Sequence, residues 1–214
     1  MESLLQRIQR ETPAELASRS LQAMYWLRQR VQNLKINSEA FYKSEYATGE
    51  LSKVKRQLEG RMYLFFYEPL GKKTLPYYDR FPLVLVIERL SDGFIGLNMH
   101  YLPPLTRIRF LYQLFRYEMY DDDEGITEED SYGASNEGFM NTKIRIKYDF
   151  MKDASKLKPF KACIKRYKYS QIEGRALVIK PDHWEAMSML PLAQWKKQKQ
   201  QRIWDDSLEK IYGK

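Results

Sequence analysis

The stretch from Arg61 to Tyr101, RMYLFFYEPLGKKTLPYYDRFPLVLVIERLSDGFIGLNMHY, constrains the fold of this chain more than any other part. Met62 to Tyr67 is an aromatic, strand-forming run, and Glu68-Pro69-Leu70-Gly71 is a turn that no strand can cross. Pro76 and Pro82 bracket Tyr77-Tyr78-Asp79-Arg80-Phe81. Leu83 to Ile87 is a continuous apolar, β-branched run, the pattern of a strand buried on both faces. Ser91-Asp92-Gly93 then turns the chain into Phe94-Ile95-Gly96-Leu97. Asp92-Gly93 is a tight-turn dipeptide whose glycine suits positive φ. Gly96, inside a strand-like run, marks a bulge or a close backbone approach, with a partner's backbone as the expected neighbour. No position in the block offers a plausible nucleophile or metal cage, so it reads as a folded docking unit. The expected class is α+β: a small SH3-like β-barrel of five or six strands with N-terminal, central and C-terminal helices. An open antiparallel sheet with helices on one face satisfies the same strand count.

The helices follow from periodicity and caps. Thr12-Pro13-Ala14-Glu15 combines an N-cap, a proline at the first helical position and a capping-box glutamate. Leu16, Ser20, Ala23, Leu27, Val31 and Leu34 then recur at spacings of three and four. This helix either packs on the barrel or reaches a neighbouring subunit as an arm. Pro103-Pro104 opens a second helix over about 105–120, with Ile108, Leu111, Tyr112, Phe115 and Met119 as its apolar stripe and Arg107, Arg109 and Arg116 outside it. Pro181-Asp182-His183-Trp184-Glu185 opens a third, with Asp182 as cap, and Leu190-Pro191 ends it. The basic tail from Trp195 is amphipathic, with Trp204, Leu208 and Ile211 on one face. Three units are expected: an N-terminal helical arm and connector (1–59), a β-barrel-based core with an inserted helix and an acidic loop (60–190), and a C-terminal helical tail (191–214).

Charge is segregated along the chain. Between Asp121 and Glu137 stand eight acids and no base in seventeen residues, interspersed with glycine, which reads as a long surface loop or a segment that orders on binding. Between Lys143 and Lys180 stand twelve Lys or Arg against three acids. Lys143-Ile144-Arg145-Ile146-Lys147-Tyr148 alternates basic and apolar residues like a strand with one wet basic face, and Lys165-Arg166-Tyr167-Lys168-Tyr169 continues the theme. Lys143, Arg145, Lys147, Lys165, Arg166 and Lys168 are the candidate contacts to phosphate or to an acidic protein surface. Tyr77, Tyr78, Asp79, Arg80 and Phe81 are the candidate protein-partner contacts, because flanking prolines hold them rigid and lower the ordering cost of binding.

The net charge of +8 permits a nucleic-acid or acidic partner, but 28 acidic residues keep it below histone-like density. A hydrophobic content of 43% is enough to bury a core and too high for a disordered chain. Cys163 is the only cysteine, which excludes an intrachain disulfide and a cysteine-based zinc site. It sits in Phe160-Lys161-Ala162-Cys163-Ile164 and reads as a small core residue. His100 and His183 are too few for a histidine metal site. The acidic loop lacks the spacing and closing glutamate of an EF-hand, and no phosphate-cradling glycine loop occurs. No apolar run of about 18 residues and no signal-type leader is visible. The expectation is a non-enzyme without cofactor or metal, made in a reducing cytoplasm and not inserted in a membrane.

Three segments, GRMYLFFYEP, LPYYDRFPLVLVIE and DGFIGLNMHYLPP, together with Lys161-Ala162-Cys163-Ile164-Lys165-Arg166-Tyr167 and Trp204-Asp205-Asp206-Ser207, resemble a family of small virion-associated proteins of contractile-tailed, T-even-related bacteriophages. The resemblance covers roughly residues 20–212. It departs at Lys161-Ala162-Cys163, where such proteins have Lys-Pro-Cys. It implies a phage virion protein and does not choose the location; the amphipathic arms at both termini and the charge blocks of opposite sign point to a structural component at the tail baseplate, bridging neighbouring tail or baseplate subunits with at most weak nucleic-acid contact. The alternative that it implies is a protein that binds and protects DNA ends in the head or neck.

Overall fold

The computed structural model describes residues 21–48, 51–118, 158–193 and 195–212, with isolated positions 8, 10, 11 and 13. The acidic loop and the Lys143–Tyr148 segment lie outside the described residues.

The class is α+β. Helices α1 (Leu21–Asn33) and α2 (Ser38–Thr48) precede strands β1 (Lys53–Val54), β2 (Met62–Tyr67), β3 (Leu83–Arg89) and β4 (Gly93–Asn98). Helix α3 (Pro104–Glu118) follows, then β5 (Ile164–Lys168), β6 (Ile172–Ile179), α4 (Trp184–Met189) and α5 (Gln200–Tyr212). The strands form one antiparallel sheet in the order β1-β6-β2-β3-β4-β5. The expected closed barrel is not what forms: among the described residues β1 and β5 are the two edges and do not pair, so the sheet is open. Register shifts at Leu64/Phe66 and Val86/Glu88 nevertheless coil it. The rings of Tyr67 on β2 and Tyr167 on β5 meet at 5.0 Å although two strands separate them in the ladder.

The continuous apolar reading of β2 and β3 has a direct cause, burial on both faces. Met62, Leu64, Leu83, Leu85, Leu97, Leu177 and Ile179 join the helices in one cluster. Tyr63, Phe65, Tyr67, Val84, Val86, Phe94 and Tyr167 form a second cluster on the opposite face. There Phe65 meets Tyr167 edge-on at 5.3 Å and Phe94 at 5.8 Å, the edge-to-face arrangement that aromatic quadrupoles favour.

The Gly93 expectation needs correction, whereas the close backbone approach expected at Gly96 is present and comes from within the sheet. Gly93 is the first residue of β4 and has no positive φ. What it requires is room, because a Cβ there would lie 1.9 Å from the Tyr167 carbonyl oxygen on the paired strand. A Cβ on Gly96 would lie 2.3 Å from Val84 Cγ1 and 2.9 Å from the Leu85 carbonyl oxygen. The backbone that approaches Gly96 is therefore its own sheet's, not a partner's.

The described part of the N-terminal helix packs at home, with Val31 fully buried in the main cluster and Trp26 and Leu27 packed against it. Lys35, at φ 51, ends the helix in a left-handed turn. Helix α2 is capped by the Asn37 side chain, whose Oδ1 accepts from the Ala40 amide at 2.9 Å. Helix α3 starts at Pro104 as expected, but Arg107 is completely buried on it. Its Nε donates to the Leu102 carbonyl at 2.7 Å and its Nη1 to the Ser188 carbonyl at 2.8 Å. Asp182 makes no side-chain cap for α4, which is preceded by a single 3-10 turn. Helix α5 buries Ile203 and Ser207, one position off the expected Trp204 face, and Trp204 Nε1 donates to the His100 carbonyl at 3.0 Å.

Candidate nucleic-acid interface

Strand β5 carries three of the six candidate cations, and each has a different environment. Arg166 Nη2 bonds both carboxylate oxygens of Asp92 at 2.8 and 3.0 Å, and Lys168 Nζ lies 3.6 Å from the same carboxylate. Arg166, and secondarily Lys168, hold the Asp92 carboxyl below its ordinary range. One carboxylate against two cations leaves this turn net positive, and exposed pairs of this kind contribute little to stability. Lys165 instead folds inward, its Nζ 4.4 Å from the centre of the Tyr101 ring, and burial lowers its pKa. Lys143, Arg145 and Lys147 lie outside the described residues.

Sequence reasoning missed two cations at this end of the sheet. Arg61 at the start of β2 and Arg89 at the end of β3 are both exposed and both act electrostatically on the Tyr63 phenol, as does Tyr169. The Arg61 carbonyl accepts from the Val86 amide at 3.0 Å, and the Arg89 amide donates to Glu59 Oε1 at 2.8 Å, which fixes this end of the sheet. The Tyr63 hydroxyl accepts from the Leu58 amide at 2.8 Å, anchoring the segment that carries exposed Lys55 and Arg56. Among the described residues no ion pair engages Lys55, Arg56, Arg61 or Arg89. Twenty-seven positions separate Arg61 from Arg89 in sequence, and only the β2–β3 pairing brings them to one end of the sheet.

The Tyr77–Phe81 segment lies over the core. Tyr77 packs at 5.9 Å on Trp195 and 6.1 Å on Tyr101, and the Tyr78 carbonyl accepts from the Lys196 amide at 3.2 Å. Asp79 is buried: its Oδ1 accepts from the Phe81 amide at 3.0 Å, and its Oδ2 meets His100 Nδ1 at 2.7 Å and Asn98 Nδ2 at 3.3 Å. Asn98 Nδ2 also donates to the Tyr167 hydroxyl at 3.1 Å. Arg80 lies 4.7 Å over the Phe66 ring and pairs with Glu68 at 2.8 Å, while Phe81 is buried against Phe66 and Tyr42. Tyr77, Tyr78 and Arg80 keep partial exposure; Asp79 and Phe81 do not.

The chemistry available inside is limited. Burial lowers the His100 pKa despite the adjacent Asp79, so the imidazole is held neutral. Among the described residues no hydroxyl or thiol is hydrogen-bonded to His100. Burial pushes the Cys163 thiol up to about 12, which keeps it from forming the nucleophilic thiolate. Among the described residues no group of three or more His, Cys, Asp or Glu side chains gathers as a metal site, and no helix is long and apolar enough to cross a membrane. What the described surface offers is a set of exposed cations on a rigid sheet.

Residues 28–211 match the family model described as phage T4 terminal DNA protecting protein. No curated protein and no solved structure matches the chain.

Proposed function

The chain belongs to the phage T4 terminal DNA protecting protein family, and on that premise we propose that it is a non-enzymatic virion protein that holds and shields a terminus of the phage DNA. The observation that carries this reading is the match across residues 28–211, which spans every strand and helices α2 to α5. The exposed cations support it: among the described residues no ion pair engages Arg61 and Arg89 at the sheet end or Lys55 and Arg56 after β1, and Arg166 and Lys168 outnumber the carboxylate they share. The expected baseplate role draws no support from the family's description, which names DNA and no tail component. Tyr77, Tyr78 and Arg80 remain the positions of the proline-bracketed segment through which a neighbouring virion protein would be met.

The half-barrel fits the same role. The order β6-β2-β3-β4-β5, with the single 3-10 turn Tyr169–Gln171 linking β5 to β6, supports an SH3-like reading of these five strands. Such a scaffold presents its loops from a framework packed on both faces, which holds cations at fixed spacing.

A charged patch alone binds duplex DNA with a Kd of roughly 10⁻⁴ to 10⁻⁶ M at physiological salt. End protection demands more than that, so exonuclease digestion of linear duplex tests the proposal. The expected result is survival of full-length DNA at a few protein molecules per end, independent of DNA length. Digestion at the unprotected rate, or protection only when the whole duplex is coated, overturns it.

A further inference from the structure

A DNA terminus differs from the interior of a duplex in one chemical respect that a phosphate-binding surface does not read: its last base pair exposes an apolar face. An apolar tip set among cations is therefore one way for a protein to select ends. Of the exposed large apolar side chains among the described residues, Leu70 (72% exposed) and Leu75 (37%) share one turn.

That turn, residues 69–76, is held in three ways. Its own backbone closes through Lys72 to Pro69 at 3.1 Å, Thr74 to Gly71 at 3.0 Å and Leu75 to Gly71 at 2.8 Å. Lys197 reaches across from the C-terminal segment, its Nζ donating to the carbonyls of Lys73 and Leu75 at 2.9 Å each. Lys197 adopts φ 71, a left-handed conformation that costs a lysine free energy and persists where surrounding contacts over-determine it. The neighbouring Trp195 packs on Tyr77 and Tyr101, so the clasp is anchored in the core. Lys72 and Lys73 on the turn, and Lys196 and Lys199 on either side of Lys197 in the sequence, are exposed, and among the described residues Glu68 pairs with Lys72 and Arg80.

We propose that this clasped turn is the end-reading element: Leu70 and Leu75 lie against the terminal base pair while Lys73, Lys196 and Lys199 take the last phosphates. The inference rests on the DNA-end reading and adds to it the source of preference for an end over a continuous duplex. Leucine serves elsewhere as a wedge against base steps, and cations beside it supply the phosphate contacts. Lys197 is a positioning residue, since its ammonium is already bonded to the turn.

The test measures binding of the full chain to a short blunt duplex carrying 2-aminopurine in its terminal pair, in competition with closed circular DNA. The unmodified chain prefers the duplex end and changes the 2-aminopurine fluorescence. Leu70→Ser loses at least about fivefold of that preference, a lower bound for the apolar surface that a leucine buries against a base pair, and leaves circular binding unchanged. Lys73→Glu with Lys196→Glu weakens binding to both DNAs and flattens the log–log salt dependence by about 2. End preference that survives Leu70→Ser overturns this inference alone. Absence of any end preference in the unmodified chain overturns the functional reading and this inference together. Self-association of the DNA-free chain that Leu70→Ser abolishes, seen by sedimentation, assigns the turn to a second copy and also overturns it.

Discussion

Two charged regions of this molecule behave in opposite ways. Around Asp79 the charges are sealed: His100, Asn98 and the Phe81 amide all converge on one buried carboxylate, and fully buried Arg107 is bonded to two carbonyls. At the sheet end, Arg61, Arg89, Arg166 and Lys168 stand in solvent, the first two without an ion pair among the described residues and the other two sharing Asp92. The sealed charges cost desolvation, which the bonds to Asp79 and to Arg107 Nε and Nη1 offset, and removal of a partner exposes that cost. The open ones add little to stability and remain available for a partner. Substitution should therefore separate the two regions, one by unfolding and the other by loss of binding.

The largest effect is expected at Asp79. Asp79→Ala leaves His100, Asn98 and the Phe81 amide without their acceptor, and removal of one member of such a buried set costs about 3–5 kcal/mol. Denaturant unfolding checks this, and a loss below about 1 kcal/mol would mean that the network is dispensable. Gly96→Val comes next, at about 1–3 kcal/mol from overpacking against Val84. Because that crowding lies within the sheet, the same unfolding curve should account for the whole defect, with no separate loss of partner binding.

A third effect is pH-dependent. Burial lowers the His100 pKa in the folded state, with Arg107 acting in the same direction and Asp79 opposing, and burial also lowers that of His183. The unfolded chain then binds more protons than the folded one as pH falls through the ordinary histidine range. Stability should therefore decline on going from neutral to mildly acid pH, by no more than about 1.4 kcal/mol per pH unit per histidine. Unfolding curves across that range check the sign, and His183→Gln should retain the part due to His100. A stability that rises on acidification would mean that Asp79 outweighs burial.

Legibility in the sequence follows the range of the interaction that decides each feature. Strands Met62–Tyr67 and Leu83–Arg89 are readable because two-faced burial removes alternation locally. The start of α3 is readable from Pro104. Arg107 is not, because helical periodicity places it off the apolar stripe and only the Leu102 and Ser188 carbonyls, the latter 81 positions away, explain its burial. Openness of the sheet depends on β6 pairing with β2 across more than a hundred residues, a contact no local pattern encodes. For the interface, alternating Lys165, Arg166 and Lys168 mark β5 as basic, but the inward turn of Lys165 comes from Tyr101, which lies on another element. Arg61 and Arg89 carry no local signal, since their proximity is made by strand pairing alone.

The smallest expected effect on stability is also the most informative. Arg61→Glu combined with Arg89→Glu alters exposed side chains without ion pairs among the described residues and should change unfolding free energy by no more than about 0.5 kcal/mol. The decisive measurement is exonuclease protection of linear duplex DNA by this doubly reversed chain beside the unmodified one, with folding of both verified by thermal unfolding. The account predicts protection by the unmodified chain and its loss in the reversed one at equal stability. Equal protection by both chains would contradict the assignment of the sheet end as the DNA-holding surface, and protection by neither would contradict the DNA-end function itself.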